Sequence, residues 1–177
     1  MPDLQPTLTG ETVLLRPLRA DDWLAMFKVA SDPLIWEQHP ARDRYLEPVF
    51  RAFFDGALAS GAAFAILDRA TGAIIGSSRY HAYDPERREI EIGWTFIARA
   101  YWGGQTNAEI KRLMLDHAFS FADTVIFWVG AANLRSRRAM QKLGAVERDG
   151  LHTRALVGGE HPHVVFEVRK KPLGPGH

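Results

Sequence analysis

Between residues 89 and 97 the chain alternates. Glu89, Glu91, Gly93 and Thr95 fall on one side, Ile90, Ile92, Trp94 and Phe96 on the other, the period of a half-buried strand. Past the loop Tyr101-Trp102-Gly103-Gly104 the period changes. Ile110, Leu113, Met114, His117 and Phe121 recur at helical spacing, which leaves Lys111 and Arg112 on the outer side. Thr106 or Asn107 is placed to cap this helix, with Glu109 in its first turn.

The same patterning predicts the other elements. A strand over 12–18 is stopped by Pro17. A helix capped by Asp21 or Asp22 turns Leu24 and Phe27 inward and ends at 31–33. A second helix over 45–58 buries Leu46, Val49, Phe50, Phe53 and Phe54 and stops near Gly61. Strands over 63–67, 74–81 and 89–97 are joined by short polar links, which makes them an antiparallel meander. The apolar run 125–129 reads as a strand buried on both faces. Asn133 caps a helix that ends at Leu143, with Gly144 as a left-handed stop. Segments 145–157 and 163–169 form a last hairpin around Gly158-Gly159, and the tail 172–177 is expected to fray. Helices alternating with an antiparallel, then mixed, sheet define a single α+β domain over residues 1–177.

Composition narrows the class. A chain of 177 residues with 46% apolar and 24% charged positions is an ordinary globular protein. A formal charge of +1 argues against a nucleic-acid binder. The absence of a long apolar run and of a signal-peptide pattern makes a cytoplasmic protein, with no membrane partner, the default. Without cysteine there is no disulfide and no thiolate chemistry. The seven histidines show no HExxH spacing, and His161-Pro162-His163 reads as a surface turn, so no metal is expected.

The strand, glycine loop and helix are the chemical feature. A helix start presents unpaired N–H groups and partial positive charge, and preceding glycines let a phosphate approach the backbone. The plain alternative is that Gly103-Gly104 only makes a sharp turn. A nucleotide-phosphate enzyme fits poorly, because no GKS or GKT follows the glycines.

Four segments in order resemble the GNAT N-acetyltransferase superfamily, in its RimJ/RimL-like branch. They are Leu15-Arg16-Pro17-Leu18 with Asp21-Asp22, then Glu91-Ile92-Gly93-Trp94, then Tyr101-Trp102-Gly103 with Glu109, and Asn133-Leu134-Arg135-Ser136 through Leu143-Gly144-Ala145. The resemblance implies the GNAT acyl-CoA acyltransferase fold, a central mixed, mostly antiparallel twisted sheet flanked by helices. It also implies acetyl-CoA as donor and direct attack by an amine, either a protein N-terminus or a small molecule. A homodimer is compatible with it. One departure stands out, in that the family's loop glycines fall on Gln105 and Asn107.

Carried over residue by residue, the resemblance places the cofactor along Thr95, Phe96 and Ile97, in the loop Trp102, Gly103, Gly104, Gln105, Thr106 and Asn107, and at Asn133, Arg135 and Arg138. It implies that the third long strand and the strand after the central helix splay apart around the cofactor arm. Glu91 is the expected base, on a strand where burial would raise its pKa, with Glu89 in reserve. Ser136 and Asn133 are expected at the departing sulfur, with Tyr80 or Tyr83 as substitutes. Arg135, Arg138 and Lys142 face either solvent or the adenosine phosphate. Trp36, Glu37, His39, Tyr80 and Tyr83 are expected to line the acceptor cleft. The rival reading is a non-catalytic acyl-CoA-binding module.

Overall fold

The computed structural model of the chain describes residues 1–156 and 159–172. Val157 and Gly158 of the expected last turn, and the tail beyond residue 172, lie outside the described residues. In chain order the elements are β1 (Leu8–Thr9), β2 (Val13–Pro17), α1 (Trp23–Ala30), α2 (Glu47–Ser60), β3 (Ala63–Asp68), β4 (Ile74–Asp84), β5 (Glu89–Ile97), α3 (Thr106–Ala118), β6 (Thr124–Gly130), α4 (Leu134–Leu143), β7 (Val146–Glu147), β8 (His152–Leu156) and β9 (Gly159–Arg169).

They build one sheet in the order β1-β2-β3-β4-β5-β6-β9-β7, with β8 also on β9. Only β5 and β6 run parallel; the other described pairings are antiparallel. This is the mixed, mostly antiparallel α+β sheet that the sequence predicts. The segment expected as one strand over 145–157 is instead two, β7 and β8, separated by a bend at Asp149-Gly150 where Gly150 takes φ +91°.

Helices cover both faces of the sheet. On one, α3 packs Ile110, Met114, Leu115 and Ala118 over Ile90, Ile92, Ile97, Val125 and Phe127. On the other, α1 and α2 pack Met26, Ala30, Phe50 and Phe54 with Trp36 and Phe96. Offset and edge-on rings hold that second face together, among them Trp23 with Phe50 at 5.8 Å and Phe50 with Phe96 at 5.8 Å. Leu24 and Leu46, expected inside, are exposed. A 3-10 turn at Ala20–Asp22 precedes α1 and sets its rotation, because Asp22 grips the Arg16 guanidinium and the Arg19 N–H.

The expected alternation along β5 breaks at one point. Gly93 lies opposite Arg79 and Phe96 opposite Ser77, so Trp94 and Thr95 together face the single residue Ser78. This is a β-bulge, with Trp94 at φ +52°. The extra residue exchanges the faces beyond it. Thr95 and Ile97 join Ile90 and Ile92 beneath α3, while Trp94 and Phe96 turn to the side of Glu91. On the paired strand a glycine is required, since a Cβ on Gly76 would collide with the Phe96 carbonyl oxygen.

Candidate active site

The parallel pair β5–β6 is joined only at Glu89 with Thr124, Ile90 with Val125 and Glu91 with Ile126. Beyond Glu91 the ladder stops, although β5 continues to Ile97 and β6 to Gly130. A strand bent by a bulge on one side and held by β9 along all of β6 on the other leaves a wedge between them.

The loop and α3 stand at one edge of this wedge. Gly103 takes φ +75°, a conformation that glycine adopts without strain, and neither Gly103 nor Gly104 has an atom within 4 Å of a Cβ placed on it. Neither Thr106 nor Asn107 caps α3: the helix begins at Thr106, and Gln105 in the capping position makes no side-chain bond. The first-turn N–H groups are therefore open to an anion. Glu109 is turned away from them. Its carboxylate accepts from the Thr12 N–H at 3.0 Å and from the Thr12 hydroxyl, which ties α3 to β2. Trp102 donates from Nε1 to the Ile97 carbonyl at 3.1 Å and carries the Arg135 guanidinium 3.9 Å above its ring.

The floor of the wedge holds a group that the sequence places elsewhere. Lys111, expected on the outer side of α3, is 4% exposed. Its Nζ donates to Thr95 Oγ1 at 2.7 Å and lies 5.4 Å from the centre of the Phe127 ring, so it reaches from β5 to β6 beneath the opening. The Thr95 hydroxyl is in turn 2.7 Å from Ser78 Oγ. No carboxylate pairs with Lys111 among the described residues, and burial pushes its pKa down to about 7. The stripe facing the sheet is thus Ile110, Lys111, Met114, Leu115 and Ala118, displaced from the expected Leu113 and His117.

At the far edge, Asn133 is buried and caps α4, accepting from the Ser136 N–H at 3.3 Å. Arg135 donates to the Ile35 carbonyl at 3.0 Å, and its N–H donates to Gln38 Oε1 at 3.0 Å. Arg138 and Lys142 are exposed on α4 and have no ion pair among the described residues.

Glu91 is 3% exposed, and both its oxygens accept from Arg154 on β8, at 2.8 and 2.9 Å. Arg154 lies over Trp128 and Trp94, at 4.4 and 5.2 Å. Glu89 is likewise bound, to Arg148 at 2.6 Å. Around Trp94 gather Arg79, 4.2 Å above its ring, and His81, 5.0 Å away. Arg44 and His39 lie behind them, His39 held neutral by burial with its pKa lowered to about 3.

Two expected site residues, Trp36 and Tyr80, belong to the core, and a third, Tyr83, packs half-buried against it. Trp36 is 2% exposed and donates to the Ala30 carbonyl at 2.8 Å. Tyr80 is fully buried beneath α3, its hydroxyl bonded to the Met114 carbonyl at 2.5 Å. Tyr83 donates to the Phe121 carbonyl at 3.0 Å. The polar atom of each is occupied within the fold. Glu37 is exposed.

A mixed sheet that parts between two parallel strands beside an uncapped helix start has the geometry of a binding cleft. The family follows from the sequence itself: residues 12–146 match the profile of the Acetyltransferase (GNAT) domain, and the chain belongs to that family. An acetyltransferase of known structure is 31% identical over 96% of this chain and 87% of its own, with a TM-score of 0.78. Another, from T. thermophilus, is 32% identical over 92% of this chain and 88% of its own, with a TM-score of 0.77. The fold is also that of Mycobacterium smegmatis RimJ in complex with CoA-disulfide, at 21% identity, 98% and 92% coverage and a TM-score of 0.76. No curated protein matches the sequence. Among the described residues no helix is long and apolar enough to cross a membrane.

Proposed function

We propose that this protein moves an acetyl group from acetyl-CoA to a primary amine by direct attack. The observation that carries the reading is the opening of β5 from β6 beyond Glu91, with the uncapped start of α3 at its edge. The residues present suit the donor. The first-turn amides of α3 and the Gly103-Gly104 turn would hold the diphosphate. Arg138 and Lys142 are free to meet the remaining phosphate, and the wedge would take the apolar arm beside Thr95, Phe96 and Ile97. The donor supplies an activated thioester carbonyl.

The chain must then stabilise charge on the carbonyl oxygen, supply a proton to the sulfur and accept one from the amine. Beyond Glu91 the β5 amides on the β6 side have no ladder partner, so they are available as donors to the oxygen. For the sulfur, Lys111 Nζ joins the Ser136 hydroxyl as a proton source, because it bridges Thr95 of β5 and Phe127 of β6 beneath the opening. A lysine whose pKa is near 7 can both hold and release a proton at neutral pH. On the acceptor side, Glu91 takes the amine proton through water, its charge balanced by Arg154. That same engagement favours the rival reading of an acyl-CoA-binding module without turnover.

Release of free thiol from acetyl-CoA across a panel of amines and N-terminal peptides tests the proposal, alongside the melting temperature with acetyl-CoA and with ATP. Amine-dependent thiol release and stabilisation by acetyl-CoA alone are expected. Stabilisation without amine-dependent release would establish the rival, and no response to acetyl-CoA would end both.

A further inference from the structure

We propose that Arg44, Arg79 and His39 form a receptor for an oxyanion, so that the preferred acceptor is an amine that also carries a carboxylate or phosphate group. The word acceptor rests on the acetyl-transfer reading above; the anion site does not.

Two cations here, one buried and one half-buried, lack an ion-pair partner among the described residues. Arg44, in the connection before α2, is 9% exposed, and the Nε of Arg79 on β4 is wholly buried with no hydrogen-bond partner. Both guanidiniums lie against one ring, Phe53, at 4.9 and 5.6 Å from its centre. Neither forms an ion pair among the described residues. Of the nearby carboxylates, Asp43 beside Arg44 makes no ion pair with it, and Glu91 has given both oxygens to Arg154. Burial lowers the pKa of each guanidinium to about 10; the charge of Arg79 adds to the effect on Arg44, while Asp43 opposes it at Arg44 and Glu91 at Arg79, each more weakly than burial. Aromatic faces offset only part of such a desolvation.

His39 gives a second sign, at Arg44. Its Nδ1 accepts from the Ala41 N–H at 2.9 Å, so the proton of the neutral ring sits on Nε2. That Nε2 lies 3.4 Å from an Arg44 guanidinium nitrogen, which can only donate. Two donors therefore stand in contact, with no acceptor for either at this point among the described residues. An oxyanion satisfies both, together with Arg79, through the forked geometry that guanidinium offers to carboxylate and phosphate.

Position assigns this anion to the acceptor. Phe53 and Trp94 lie on the sheet face away from α3, and Trp94 is the bulge residue beside Glu91. The loop and α3 start that would hold the donor diphosphate are elsewhere. An amine anchored here by its acid group would present its nitrogen towards Glu91 and the wedge.

The test uses the full chain, its Arg79→Met and Arg44→Met variants, and Arg79→Lys, which keeps charge without the fork. Melting temperatures are first compared in acetate, phosphate and chloride at equal ionic strength, a readout independent of transfer. Acetate or phosphate should stabilise the wild type, and the effect should vanish in both Met variants. The Met variants should melt no lower than the wild type in chloride, since an unpaired charge has been removed. Turnover is then compared within the pairs glycine and glycinamide, and phosphoethanolamine and ethanolamine. The anionic member that binds should show a KM lower by about tenfold or more, a preference lost in the variants, with Arg79→Lys between them. The larger preference, for carboxylate or for phosphate, names the group. Equal responses to all anions, or equal KM within both pairs, would overturn the proposal. If no amine is acetylated yet the stabilisation by acetate or phosphate depends on both arginines, the anion site stands and the transfer reading falls.

Discussion

Replacing Lys111 by Met tests whether the wedge floor is as dry as the structure makes it. The two side chains are similar in length and volume, so packing against Phe127 is kept while the ammonium is removed. In the unfolded chain this lysine has its ordinary pKa of 10.5; folding lowers it to about 7. Above 10.5 both states are neutral and the burial carries no charge penalty. As pH falls, the unfolded lysine binds its proton first, so folding stability declines by about 1.4 kcal/mol per pH unit until pH 7. Below pH 7 both states are protonated and the whole difference, about 5 kcal/mol, weighs against the fold. The Met variant avoids this, losing only the bond to Thr95 Oγ1, about 1 kcal/mol. It should therefore be the more stable protein at pH 6, with an advantage that shrinks by about 3 kcal/mol by pH 9. Urea unfolding of both proteins across that range isolates the lysine, because the other titrating groups cancel in the difference. Lys111→Arg, which cannot shed its charge, should be destabilised at every pH. An offset between wild type and Met variant that stays flat from pH 6 to pH 9 would refute the dry floor, and with it the role of Lys111 as a proton donor near neutrality.

Two further outcomes follow from contacts around the wedge. Arg154→Met leaves the Glu91 carboxylate buried without its partner and should lower stability by about 3 kcal/mol; Glu91→Gln in the same chain should recover much of that loss, as read by a double-mutant cycle in urea. Gly76→Ala drives a Cβ against the Phe96 carbonyl beside the bulge. It should lower stability by about 3 kcal/mol and weaken stabilisation by acetyl-CoA more than Gly103→Ala does, and an unchanged melting temperature would show that the bulge yields freely.

Much of the fold is legible in the sequence because its signals are local. Alternation sets the bounds of β5, Asn133 and Gly144 set those of α4, and Gly61 ends α2 in a left-handed conformation at φ 62°. The bulge at Trp94 is not legible. No residue preference marks a bulge here, and it exists because β4 and β5 pair out of step. The error at Lys111 is different in kind, since the spacing of Lys111, Met114, Leu115 and Ala118 is itself a helical stripe. Residue type alone turns a lysine outward, against that spacing. Arg154 gives no signal, because its tie to Glu91 joins residues far apart in the chain and depends on how β8 folds over β9.

The bulge explains why the two sides of the wedge differ in chemistry. Without it, strict alternation would set Thr95 on the side of Glu91 and bring Trp94 beneath α3. Lys111 would lose its hydroxyl acceptor, and the Arg79 and Arg154 guanidiniums would lose the indole between them. With it, the face under α3 carries a cation that can lose its charge, beside a hydroxyl and a ring. The opposite face carries guanidiniums that cannot. A thioester lodged between strands would then meet a proton source on one side, while an acceptor whose acid group is held by fixed positive charge approaches from the other. That division requires one inserted residue at one register, so removing Thr95 to straighten the strand should abolish donor and anion binding together, whereas Arg79→Met should abolish anion binding alone. Retention of either function in the straightened strand would separate the bulge from the site.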